Sequence, residues 1–141
     1  MMKTLYRVEH PVTKTGPWNS EIVDGFLNCT DAQKEALRDL KVYINSDQMY
    51  EHFRRHIPVH MDFAVWNDRM ICAVDSKKQL REWFNDETLL IHLMVAGFTV
   101  VKITIDSNKV FRGFTGMQFG IDQYEDFTKK DIGLNVLLDN A

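Results

Sequence analysis

The spacing of hydrophobic and polar positions changes several times along the chain, and each change marks an element. Leu5-Tyr6-Arg7-Val8-Glu9 alternates and is rich in β-favouring side chains, which predicts an opening strand. That alternation puts Arg7 on one face with Leu5 and Glu9. Residues 10–20 carry Pro11, Gly16, Pro17 and Asn19, a loop composition. From Thr30 the period becomes helical. Thr30 and Gln33 make a capping-box pattern, and Ala36, Leu37, Leu40, Tyr43 and Ile44 fall on one face. A second short helix is expected from Asp47 to before Pro58. Residues 61–66 and 69–74 read as two strands around Asn67-Asp68, a tight hairpin turn.

Ser76 and Gln79 open a second capping box, followed by Leu80, Trp83 and Phe84 at helical spacing. Asn85 is the expected cap of the next helix. Residues 89–95 are apolar nearly all round, so that helix is expected to be buried, with Gly97 ending it. Residues 98–105 are the clearest strand, and weaker ones follow near 110–111 and 117–121. Mixed strands and helices without regular alternation predict an α+β fold. The expectation is a single domain with a central, mostly antiparallel sheet and flanking helices.

Charge refines this outline. Residues 1–121 hold 15 Lys/Arg and 15 Asp/Glu, whereas residues 122–141 hold 2 Lys and 5 acids, so the net −3 arises entirely at the C-terminal end. The expected division is a globular domain over 1–121 and an acidic extension over 122–141. Ile132, Leu134, Val136, Leu137 and Leu138 give that extension apolar residues with which to pack on the domain. A neutral body excludes a dedicated nucleic-acid binder, which needs a basic surface, and a DNA mimic, which needs dense carboxylates.

Cys29 and Cys72 lie far apart with no C-x-x-C spacing, which reads as reduced thiols in a cytoplasmic protein. The first residues lack an apolar signal core. The longest apolar stretch, 89–101, is broken by His92, Gly97 and Thr99 and is shorter than the ~20 residues of a spanning helix, so no membrane partner is expected.

Several residues are candidates for chemistry. His52, His56 and His60 stand at i, i+4, i+8, a spacing that could present two zinc ligands on one helical face. Pro58 breaks that geometry and Arg54 and Arg55 oppose a cation, so no metal site is assigned. Arg54 and Arg55 form the one dense basic patch and suit a phosphate or an acidic partner. His92 and Cys72 read as core residues, since no base is sequence-adjacent to the thiol. Trp66 and Trp83 read as core. Trp18, in a polar loop, either anchors that loop or touches a partner. Arg7 either faces solvent, paired with Glu9 or a cross-strand carboxylate, or lines a cleft and binds an anion such as a diphosphate.

Two stretches resemble a family of small tailed-phage proteins. One is Leu5-Tyr6-Arg7-Val8-Glu9 followed by Gly16-Pro17-Trp18. The other runs Cys72-Ala73-Val74-Asp75-Ser76, Gln79-Leu80, Trp83-Phe84, Gly97-Phe98 and Gln118-Phe119. Ala73 and Val74 stand where that pattern has Gly and Phe. The order of parts is also similar to the ADP-ribosyltransferase-like fold. That resemblance implies a nicotinamide dinucleotide or related nucleotide as cofactor, with Arg7 as its anchor. It further implies Gln118 as the late-strand residue and Ser76 or Trp66 as the middle-strand one. Such domains commonly use a late-strand glutamate, whose charge stabilises an oxocarbenium-like transition state. Neutral Gln118 lacks that charge, so the resemblance favours a nucleotide-binding or degenerate domain.

Two functions follow as expectations. The first is a phage-encoded accessory protein that binds a host or phage macromolecule, such as a counter-defence or host-modulating inhibitor. Loop 10–20, the Arg54-Arg55 patch and the acidic tail are its candidate surfaces, with Arg7, Trp18, Arg54, Arg55 and Trp66 as binding residues. The alternative is an ADP-ribosyltransferase-like enzyme or sensor in which Arg7, Gln118 and Ser76 or Trp66 converge.

Overall fold

The computed structural model describes residues 1–17, 24–47, 49, 62–64, 66, 67 and 69–138. The element order is β1 (Met2–Glu9), α1 (Asp31–Ile44), β2 (Met70–Ala73), α2 (Lys77–Trp83), α3 (Glu87–Ala96), β3 (Thr99–Asp106), β4 (Val110–Arg112), β5 (Phe119–Asp122) and β6 (Thr128–Asp131). Short 3₁₀ turns cover Asp24–Asn28, Ser107–Lys109 and Leu134–Leu137. The fold class is α+β, as the alternation of periods predicts.

The strands form two antiparallel three-stranded sheets, ordered β1-β3-β6 and β2-β5-β4. β1 and β3 pair along their whole length, from Met2 opposite Asp106 to Glu9 opposite Thr99. Among the described residues the sheets meet at one antiparallel bridge, between Tyr6 and Val74, whose N–H groups donate to each other's carbonyls at 2.7 and 2.9 Å. Beyond that bridge β1 and β2 part, and a seam opens between the sheets.

Two apolar cores flank the first sheet. Val8, Val74 and Val100 meet Leu37, Leu40, Leu80, Leu89 and Leu93 from the helices, and Leu137 joins them. The second core is shared by the two sheets: Leu5, Val101, Ile103 and Ile105 from one, Ala73, Phe119 and Ile121 from the other. The split follows from the period of two in a strand, which sends successive side chains to opposite faces.

The caps explain why the helices begin where they do. Thr30 and Gln33 close a reciprocal capping box on α1. Ser76 caps α2 by accepting from the Gln79 N–H at 3.0 Å. Gly97, at φ 90, ends α3 in the left-handed conformation that a side chain resists.

Four expectations need correction. Asp86, not Asn85, caps α3, its carboxylate accepting from Leu89 N at 2.8 Å. α3 is not buried all round: its Leu89, Leu93 and Ala96 face is, while Ile91, Met94 and Val95 are exposed, because α1 covers only one side. His92 is half-buried and stacks on Tyr43 at 4.9 Å rather than lying in the core. Residues 62–64, 66 and 67 form no strand, and β2 pairs with β5 instead of closing a hairpin across Asn67.

The C-terminal residues join the same framework. β6 pairs with β3, Ile132 N donates to Val100 O at 2.9 Å, and Arg81 Nε donates to Val136 O at 2.9 Å. The second short helix expected before Pro58 lies almost wholly outside the described residues.

Candidate functional site at the seam between the sheets

Polar side chains gather where the two sheets part. Alternation on β1 turns Arg7 and Glu9 onto the face shared with Leu5, which is turned toward the second sheet. Arg7 is only 8% exposed and Glu9 3%, so the choice between a solvent-facing arginine and a cleft arginine is decided for burial. A buried charge needs partners. Arg7 Nε donates to Glu9 Oε1 at 3.2 Å, and Lys129 Nζ from β6 donates to Glu9 Oε2 at 2.7 Å. Arg7 Nη1 donates to the carbonyl of Cys72 at 3.0 Å. The guanidinium thus takes up a β2 carbonyl just beyond the Tyr6–Val74 bridge. Gly16 lies over the same group, with its α-carbon side facing Arg7 Nη2, and Pro17 is buried beside it.

The network continues across the second sheet. Cys72 Sγ donates to Gln118 Oε1 at 3.4 Å, and Gln118 Nε2 donates to Asp62 Oδ2 at 3.1 Å. Asp62, 1% exposed, also accepts from Thr115 N at 2.9 Å and Thr115 Oγ1 at 3.1 Å. Its carbonyl accepts from Phe114 N at 2.7 Å. Burial pushes the Cys72 thiol up to about 12; Arg7 opposes that shift and Asp62 adds to it. A thiol so raised stays protonated at neutral pH, consistent with its role as the donor to Gln118.

Asp62 fixes the turn between β4 and β5. Gly113 is required there because a Cβ would run into the Asp62 carboxylate. Gly120 is required on β5 because a Cβ would stand 2.9 Å from both Met70 Cε and Trp66 Cζ3. Trp66 and Phe63, whose rings lie 5.0 Å apart, pack onto that bare backbone. Phe111 stands opposite Gly120 in register, so its ring belongs to the same outer face. Phe111, Phe114 and Met117 are 55%, 77% and 47% exposed.

The sequence candidates thus separate. Arg7 and Gln118 converge, both bonded to Cys72. Ser76 caps α2 through its hydroxyl. Trp66 is half-buried against Gly120. Trp18, Arg54, Arg55, His52, His56 and His60 lie outside the described residues. Among the described residues, no group of three His, Cys, Asp or Glu could hold a metal ion, and no helix is long and apolar enough to cross a membrane.

Sequence reasoning missed Glu9 as a buried carboxylate, Asp62 and the Phe114 turn. One signal was available: Phe111-Arg112-Gly113-Phe114-Thr115-Gly116-Met117 puts three large apolar residues among turn glycines, where polar residues are usual. Asp62 carried none, since its partners lie more than 50 residues away.

No curated protein and no solved structure matches the chain. A family model described as Bacteriophage T4 Y00F protein matches residues 1–132.

Proposed function

Since this chain belongs to the Bacteriophage T4 Y00F protein family, we propose that it is a small phage-encoded accessory protein that acts by binding a host or phage protein inside the infected cell. The observation that carries this reading is how the seam's polar groups are used. Arg7, Glu9, Cys72, Gln118 and Asp62 are bonded to one another, and the thiol is held protonated. Their geometry serves to join two sheets and to brace a turn that displays aromatic residues. Recognition residues are exposed on a framework fixed beforehand; Phe111 is exposed on β4, and Phe114 is exposed on a turn whose backbone bonds to Asp62.

A second reading, nucleotide binding at the seam, draws on the convergence of Arg7 and Gln118. It requires Arg7 to exchange Glu9 and the Cys72 carbonyl for a phosphate.

The test is affinity capture from infected cells with the tagged chain and with a Phe111→Ser/Phe114→Ser variant. A partner retained by the native chain and lost with the variant supports recognition by this face. A partner retained equally by both, but lost when Arg7 is changed to Lys, favours the seam.

A further inference from the structure

The first sheet turns Leu5, Val101 and Ile103 toward the second sheet, and Val8 and Val100 toward the helices. On the helix side, the row next to Val8 and Val100 is Tyr6, Lys102 and Lys130, each opposite the next in register. The row beyond it is Thr4, Thr104 and Thr128. Strand alternation puts both rows on the face that Val8 occupies. Here the apolar cover ends. Lys102, Lys130 and Thr128 are exposed, and Thr4, Tyr6 and Thr104 are half-buried.

Lysine directly opposite lysine is unfavourable, because like charges facing each other across an antiparallel pair destabilise it. Nothing in the register offsets this pair, since the other neighbour of Lys102 is Tyr6. The strands of this sheet carry Glu9, Asp106 and Asp131 as their acids. Glu9 and Asp131 lie on the opposite face, where they accept from Lys129 and from the Thr99 hydroxyl. Asp106 shares the face but stands four residues along β3 from Lys102, and it accepts from Asn108 N at 3.0 Å. Lysine on an edge strand guards against stray strand pairing, which accounts for Lys130 on β6. It does not account for Lys102 on the central strand.

A third cation joins them. Lys77, the first residue of α2, is exposed and reaches over the Tyr6 ring, with Nζ 6.0 Å from its centre. Asp75, just before it, is taken up by Lys3 at 3.9 Å, and Glu82, the acid of α2, is more than one turn away. Among the described residues, Lys77, Lys102 and Lys130 enter no ion pair. Glu21, Glu51, Asp68 and Asp139 lie outside those residues.

We infer that this open face of the first sheet, with Lys77, Lys102 and Lys130 as its cations and Thr104 and Thr128 beside them, is a docking surface for a short acidic segment of a partner protein. Carboxylates of the segment take the place by Lys102 and Lys130 that no described acid fills, so binding turns a repulsive pair into an attractive contact. The flexible four-carbon stem of lysine suits carboxylates spaced along an extended segment. A long nucleic acid fits less well. Its phosphates would run past this patch over a chain of net charge −3, and the one ring of the row, Tyr6, is half-buried under Lys77 instead of open to base stacking. The inference rests on the protein-binding reading but not on Phe111 and Phe114, which belong to the β4–β5 hairpin.

The test titrates the full chain, by fluorescence anisotropy, with a peptide of alternating Glu and Ser, its Gln-Ser counterpart and an oligothymidine of the same length. The variants are Lys102→Gln/Lys130→Gln and, removing equal charge elsewhere, Lys14→Gln/Lys34→Gln. The native chain should bind the Glu-Ser peptide in preference to the Gln-Ser one, and more weakly as salt rises. Affinity should fall at least fivefold in Lys102→Gln/Lys130→Gln and less than twofold in the control. Without peptide, the melting temperature of Lys102→Gln/Lys130→Gln should not fall below the native value, because the repulsive pair is gone. A lower value means that these lysines serve the fold and overturns the inference. Absence of Glu-Ser binding, or equal losses in the two double variants, overturns it as well. Tighter binding of the oligothymidine, lost with the same two lysines, assigns the face to nucleic acid instead. A partner captured from infected cells and kept by Lys102→Gln/Lys130→Gln shows that this surface is wrong while the protein-binding reading stands.

Discussion

His10 shows how one buried side chain can set a loop. It is fully buried, and its Nδ1 accepts from Val12 N at 3.1 Å and Thr13 N at 3.3 Å. Its Nε2 then carries the proton and donates to Ala96 O at 2.8 Å, which joins the loop to the end of α3. Both nitrogens are used only by the neutral ring, and burial lowers its pKa from 6.5. The unfolded chain therefore takes up a proton that the folded chain refuses. The resulting stability is complete above about pH 6.5 and is lost progressively as pH falls through the lowered folded value. Urea denaturation at pH 7.5 and 5.5 should show a larger loss for the native chain than for His10→Gln. An equal loss would mean that His10 does not titrate as a folded-state constraint. Nothing in the sequence marks His10, because its two roles depend on residues 2–3 positions ahead in a loop and on a carbonyl 86 residues away.

Elements that cap themselves were readable, and those that depend on distant partners were not. Thr30, Ser76 and Gly97 announce α1, α2 and α3 through local chemistry within a few residues. The 98–105 alternation announces β3 for the same reason. Residues 61–66 misled because an apolar run looks like a strand whether it pairs or packs. Its Phe63 and Trp66 instead lie on the bare backbone at Gly120. α3 misled in the opposite direction: its composition is apolar all round, but its Leu89, Leu93 and Ala96 face packs inward while Ile91, Met94 and Val95 face outward. The β4–β5 hairpin is the element whose shape depends most on one side chain. Gly113→Ala would push a methyl group into the Asp62 carboxylate, and the expected cost is about 1–3 kcal/mol, the range for overpacking a tight site. Amide exchange at Phe114 and Thr115 should rise together with that loss in urea denaturation. Unchanged exchange at both would show that Asp62 does not hold the turn.

At the scale of the molecule, the two sheets share one backbone bridge among the described residues and are joined beyond it by side chains. Lys129, Glu9 and Arg7 carry the connection from β6 through β1 to the Cys72 carbonyl. Cys72, Gln118 and Asp62 carry it on to the β4–β5 turn. Removing one member of such a buried set leaves charges or donors without partners, which is more damaging than the pair's net contribution suggests. The even charge balance of residues 1–121 concealed this arrangement, since a total of zero does not reveal that Arg7, Glu9 and Asp62 are buried. The acidic end is likewise not a free run: β6 supplies Lys129 to the network, and Asp131 accepts from the Thr99 hydroxyl at 2.5 Å.

The seam groups are bonded to one another as internal framework, and the proposed recognition surface is the outer face. Thermal denaturation of the native chain with and without millimolar nicotinamide dinucleotide tests this most directly. The melting temperature is expected to stay unchanged. A ligand present at 100 times its Kd would add about 2.7 kcal/mol, a rise of roughly 5–10 °C for a domain of this size. Such a rise, abolished by Arg7→Lys, would return the seam to the role of a nucleotide site and overturn its reading as internal framework.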